Sequence, residues 1–264
     1  MTEKDVYDFL SREVAKPENF YEEVRIDDTS KVREYRLMLG ESVGVCAAYL
    51  LMGPVTPVLV YSFPFYETFD ETSQADCVLE RHTATETYSG IIDDLAPGIS
   101  LIFYMINSLD MRRKLILGAD PLAAYHGVYL SAFANEGKVL LPIARTGDET
   151  PFQFEETEDD MALAEEQVFL YDRIQNEDLY TLVDQTFIPW GVECDQYSIV
   201  GEITEVGETV NTFTGIPMWL MAISCNDVHF RLCMRKDDLL GEPAQGRRIK
   251  CGIWLHGHVN IENV

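Results

Sequence analysis

The chain has 264 residues, 47% hydrophobic and 25% charged, with 45 Asp and Glu against 20 Lys and Arg. Such a composition belongs to a globular protein of one large domain or two modest ones, each able to bury a core. The formal charge of −25 repels phosphate backbones and anionic membranes at long range, so a generic nucleic-acid binder is disfavoured unless a local patch overcomes that field.

The opening stretch MTEKDVYDFLSREVAKP has the spacing of a charged amphipathic helix over about Glu3 to Ala15. It lacks the basic and apolar regions of a secretory signal. VREYRLML, VGVCAAYLLM and VLVYSFPF read as strands, rich in β-branched and aromatic residues and bounded by Gly or Pro. The uncharged run from Ser42 to Tyr66 contains Pro54, Pro57 and Pro64. It fits two buried strands around a GPVTP turn better than a membrane span. DCVLERH suggests a further strand, and ATETYSGIIDDLAPG a short helix stopped by Pro97 and Gly98. ISLIFYMINSLDMRRKL is ambiguous by period, its first half being apolar throughout. VYLSAFANEGKVLLPI looks like a hairpin turning at Asn135-Glu136-Gly137.

From Asp148 to Glu166 nine residues are acidic and none is basic. Thr157 to Asp160 resembles a capping box, and Met161, Ala164, Val168, Tyr171 and Ile174 recur at helical spacing. A second helix is expected in EDLYTLVDQTF. Strands return from Ser198: SIVGEITEV, PMWLMAISC, VHFRLCM and RRIKCGIWLHGHV. A two-residue turn at Asn226-Asp227 pairs Cys225 with Val228, Ile223 with Phe230, Met221 with Leu232 and Trp219 with Met234, which sets the apolar residues opposite one another. The expected fold class is therefore α+β, in three parts. These are an N-terminal mixed α/β-sheet domain (1–147), an acidic helical connector (148–194) and a C-terminal small β-barrel (195–264). An OB-like barrel is expected, with an SH3-like one as alternative.

In the last strand Ile249, Cys251, Ile253 and Leu255 form the core face. Arg248, Lys250, Trp254, His256 and His258 then point outward, as do His229 and Arg231 on the strand before. Residues 228–258 carry six Arg or Lys against three acids, while the rest of the chain carries 14 against 42. This face is the candidate binding surface, either for single-stranded nucleic acid or another anion, or for the acidic segment of the same chain. His256 and His258 share one side of a strand, with His229 and Cys233 as possible further ligands, yet no compact metal motif supports a metal site. His82 and Glu86, followed by Asp93 and Asp94, would share a face only if a helix began early; a helix cap is the simpler role for Glu86. Cys225 and His229 fall on opposite faces, which argues against a nucleophile pair. GEPAQGRR leads into a strand and lacks the Lys and Ser/Thr of a phosphate loop. No catalytic residue, cofactor or metal is assigned. The six cysteines are scattered, none in a Cys-x-x-Cys pair, as in a reduced cytoplasmic protein.

The stretches ERHTATETYSGIIDDLAPGISLIFYMIN, LSAFANEGKVLLPI, GEITEVGETVNTFTG and LLGEPAQGRRIKCGIWLHGHV resemble an uncharacterised clostridial family, the domain of unknown function designated 3881. The resemblance implies an anaerobic bacterial, cytosolic setting and carries over no catalytic residue. The expected role is a non-catalytic interaction or regulatory module with a protein partner. The oligomeric state is left open.

Overall fold

The computed structural model describes residues 3–14, 16, 19–82, 87–95, 99–140 and 185–261. Helix α1 (Glu3–Val14) precedes a four-stranded antiparallel sheet, β1 (Tyr21–Arg25), β2 (Ser30–Met38), β3 (Val43–Met52) and β4 (Val58–Tyr66), paired in chain order. Phe9 and Leu10 of α1 pack on Tyr35, Leu37, Ala47 and Tyr49. The opposite face presents Val32, Cys46, Ala48, Tyr61, Phe63 and Phe65 to Ile106 and Leu109. With both faces covered, the strands need no polar alternation, which accounts for the uncharged run from 42 to 66.

The second sheet contains β5 (Gln74–His82), β6 (Thr87–Leu95), β7 (Ile99–Met105), β8 (His126–Val139), β9 (Thr186–Pro189), β10 (Gln196–Val210), β11 (Pro217–Cys225), β12 (Val228–Arg235), β13 (Leu239–Leu240) and β14 (Arg248–Asn260). Helix α2 (Ser108–Ile116) follows β7. β8 and β14 pair antiparallel from Ile249↔Val139 to Asn260↔Gly127. From this shared pair the ladders run round twice, through β10, β11 and β12 on one side and through β5, β6 and β7 on the other. Both rings close through short parallel contacts, so closure is partial. β12 meets β8 from Arg231↔Ser131 to Cys233↔Phe133, and β7 meets β14 at His256↔Tyr104 and Gly257↔Met105. One continuous hydrophobic core, from Cys77 to Ile261, fills both rings.

The expected α+β class is overturned, because the described residues are predominantly strand. Thr87–Leu95, expected as a helix, is β6. Tyr88 and Ile92 are buried in the ring core there, and the Thr, Tyr and Ile content favours a strand over a helix. The expected hairpin at Asn135–Gly137 is also overturned, since β8 runs straight through it. Cys251↔Gly137 is followed by Ile253↔Ala134. Three steps on β8 thus oppose two on β14, so the polar triplet marks a β-bulge rather than a turn. The OB-like or SH3-like barrel confined to 195–264 gives way to a ring that needs β8 from far upstream. No local pattern announces a parallel β12–β8 contact across that distance. The acidic helical connector lies outside the described residues up to 184, and Thr186–Pro189, where the second helix was expected to end, is strand.

The β11–β12 turn matches its expectation. Asn226 and Asp227 have φ of 49° and 64°, as a type I′ turn requires. Cys225↔Val228, Ile223↔Phe230, Met221↔Leu232 and Trp219↔Met234 are the observed pairs.

Candidate functional site

Ile249, Cys251, Ile253 and Leu255 of β14 are buried in the ring core. The seven residues singled out on the other face do not share one environment. His229 is exposed at the β12 edge of the turn. Arg231 binds Asp70 at 2.6 Å and Glu205 at 2.8 Å, tying the 3-10 turn after β4 to the first ring. Arg248 is buried and Lys250 half-buried, the latter opposite Lys138.

Trp254, His256 and His258 lie in the seam between the two sheets. The Trp254 indole donates to Asp195 at 2.8 Å. Its ring meets Tyr104 at 5.5 Å, Phe133 at 6.4 Å and His256 at 4.6 Å. His256 is fully buried, and its Nε2 accepts from the Tyr66 N–H at 3.1 Å. The tautomer with its proton on Nδ1 faces the Trp254 carbonyl at 3.4 Å; the Tyr66 carbonyl already accepts from Ser131. Burial pushes the imidazole down to about 4, against the pull of the Trp254 and Tyr66 carbonyls, so it is neutral at pH 7. His258 Nδ1 donates to Glu67 at 2.8 Å. Glu67 also takes Arg36 at 2.9 Å. Burial would raise its carboxyl, but the bonds from His258 and Arg36 outweigh that and hold it below the usual range.

The two histidines therefore grip consecutive residues of one passing strand end instead of converging on a common point. Among the described residues no three His, Cys, Asp or Glu side chains cluster as metal ligands do. The Cys225 thiol points at the Thr186 and Val200 carbonyls, 3.0 and 3.2 Å away. Burial pushes it up to about 12, while His229 is exposed on the other face. His82 on β5 bonds the Ser89 hydroxyl of β6 at 2.6 Å. Asp93 is exposed on β6, and Glu86 lies outside the described residues. The helical spacing that would have joined His82 and Glu86 does not arise in this strand pair.

Sequence reasoning missed a buried polar group inside the small sheet. Glu34 is 4% exposed; it accepts from Tyr61 at 2.7 Å and lies 3.5 Å from Arg36. Burial raises its carboxyl despite those partners. The available signal was parity: Val32, Glu34 and Arg36 share one side of β2, opposite Tyr35 and Leu37. This group is closed in the core and presents no mouth to a substrate.

All six cysteines are free, and only Cys194 is exposed. Burial and the neighbouring Asp195 raise its thiol. The native protein is thus expected to react with Ellman's reagent at one thiol, forming a mixed disulfide and releasing one equivalent of thionitrobenzoate, slowly at neutral pH and faster as pH rises. Cys194→Ser should abolish that phase, and a second fast-reacting thiol would contradict the packing.

Fold and site together define a predominantly β protein whose two partly closed rings share one strand pair, with the basic C-terminal strand turned largely inward. The chain belongs to the family described as a domain of unknown function from E. rectale (DUF3881), whose model matches residues 1–257. No curated protein and no solved structure matches it. No helix among the described residues is long and apolar enough to cross a membrane.

Proposed function

We propose that this protein is a non-catalytic interaction module that docks on another protein through the end of β9 and the loop that follows it. The observation that carries this reading is Ile188-Pro189-Trp190-Gly191-Val192, with Ile188 54%, Trp190 65% and Val192 99% exposed. Trp is the residue most enriched among binding hot spots, and its apolar area is costly to leave in water. The loop is held at its base by the Trp190 N–H bonding the Gln196 carbonyl at 2.9 Å, so the ring projects from a fixed stem. Glu193 is exposed beside it, and the chain carries −25 overall. A partner with an apolar cleft and a basic rim suits these charges, whereas a second copy or an anionic membrane would be repelled. A cytosolic setting is part of the reading, supported by six unpaired cysteines.

Peptide display on the immobilised full chain tests it. Selected peptides should combine aliphatic or aromatic residues with Lys or Arg, and bind Trp190→Ala at least about tenfold more weakly. Equal binding to both forms, or no selection above background, would overturn the proposal.

A further inference from the structure

The sequence motif His256-Gly257-His258 has no part in the docking loop, and the structure gives it one. β4 ends at Tyr66 against the shared β8–β14 pair. There His256 takes the Tyr66 N–H, Ser131 takes the Tyr66 carbonyl, and His258 takes the Glu67 carboxylate. On the same side Arg36 of β2 reaches both Glu67 and the Ile106 carbonyl, at 2.9 and 3.1 Å. These polar bonds sit beside the aromatic contact of Phe63 with Tyr104, 5.0 Å between ring centres. We propose that His256 and His258 form a clasp holding the small sheet on the rings, and that His256 makes it acid-sensitive, so that mild acid loosens this seam before the rings unfold.

The chemistry around the two imidazoles differs, and that difference sets the direction. His256 is enclosed by Tyr66 of β4, Ser131 and Phe133 of β8, Tyr104 of β7 and Trp254 of its own strand. The titratable groups among these are phenols, both pushed up by burial, and none of these neighbours is a carboxylate. A proton on Nε2 would remove the acceptor of the Tyr66 N–H and place a charge where burial is complete. His258 instead faces Glu67, which Arg36 also holds. Asn107, itself bonded to Asp110 at 3.1 Å, lies 3.5 Å from His258 Nε2. Tyr129 is its partner across β8, and Arg113 and Lys114 line the same shallow cleft. His258 thus holds the strand end through a half-buried carboxylate contact, and the acid response is assigned to His256 alone.

The buried imidazole titrates near 4 when the seam is closed and near the ordinary 6.5 once it is open. Protons therefore bind the open state preferentially between those values. The closed seam has its full advantage above about pH 6.5 and loses it progressively toward pH 4. By linkage the opening constant rises about 30-fold between pH 8 and pH 5.

Amide hydrogen exchange on the full chain, corrected for the intrinsic pH dependence of exchange, measures this directly. The Tyr66 amide and those of β3 and β4 should lose protection about 30-fold at pH 5, while the β8–β14 amides keep theirs. His256→Gln, which retains an acceptor but does not titrate, should remove most of that pH dependence. His258→Gln should weaken the seam at every pH and leave the dependence in place. Should the His256 variant not fold, the wild-type pattern and the ring-proton titration of His256 decide alone. Loss of protection everywhere together, no loss at pH 5, or a His256 titration near 6.5 would overturn the clasp.

Discussion

Replacing Trp254 by Ala should lower the unfolding free energy by about 3 kcal/mol, the lower end of the range for a large aromatic removed from a packed site. The indole is in ring contact with Tyr104, Phe133 and His256. It also packs against the cluster that holds Phe63, Ile106 and Leu109. Its removal empties the junction of the small sheet with the rings. It also deprives Asp195 of the indole N–H; that carboxyl is already raised by burial, against the pull of the indole bond. Urea unfolding followed by far-ultraviolet circular dichroism should show a lower midpoint with little change in slope. Trp254→Phe, which retains ring contacts but no donor, should recover a good part of the loss. Unchanged stability in the Ala variant would return this residue to the status of an open binding group.

Gly90→Ala should cost about 3 kcal/mol as well, by overfilling instead of emptying. Gly90 and Phe103 are cross-strand partners on β6 and β7. A methyl on Gly90 would lie 2.0 Å from Phe103 Cζ and 2.3 Å from Cε1, well inside contact distance. The ring has no retreat. It is fully buried, and on its other side a methyl on Gly257 would already meet it at 3.2 Å. A fall in melting temperature on the order of 10 °C is expected for a chain of this size. Phe103→Leu in the Gly90→Ala background should cost less than the two single changes added together, with a coupling on the order of 1 kcal/mol. Strict additivity would mean that the ring moves freely and that the close approach is not what fixes Gly90.

Local pairing was readable in the sequence wherever two neighbouring strands specify each other. The Asn226-Asp227 turn fixed eight cross-strand pairs from Cys225↔Val228 to Met218↔Arg235, because turn type and apolar parity agree there. The inward face of β14 followed by the same logic. What parity cannot supply is the partner of an outward face. Trp254, His256 and His258 carry polar atoms that look solvent-seeking, but β4, more than 180 residues upstream, covers His256 through Tyr66. Asn135-Glu136-Gly137 illustrates a second limit. A polar triplet ending in Gly has the composition of a turn and of a bulge alike, and only the partner strand decides between them. Gly90, within the stretch expected as a helix, is instead the space that Phe103 of the neighbouring strand fills.

The shared β8–β14 pair also constrains the order of events during synthesis. β8 is complete at residue 139, but its long antiparallel partner ends only at residue 260. Until that strand leaves the ribosome, neither ring can close, and β8 and β10 each present an edge whose final neighbour does not yet exist. Pairing across so long an intervening chain is slow, and uncovered strand edges invite association with other chains. Truncations upstream of Arg248 should therefore accumulate in aggregates or chaperone complexes instead of folding as a smaller protein.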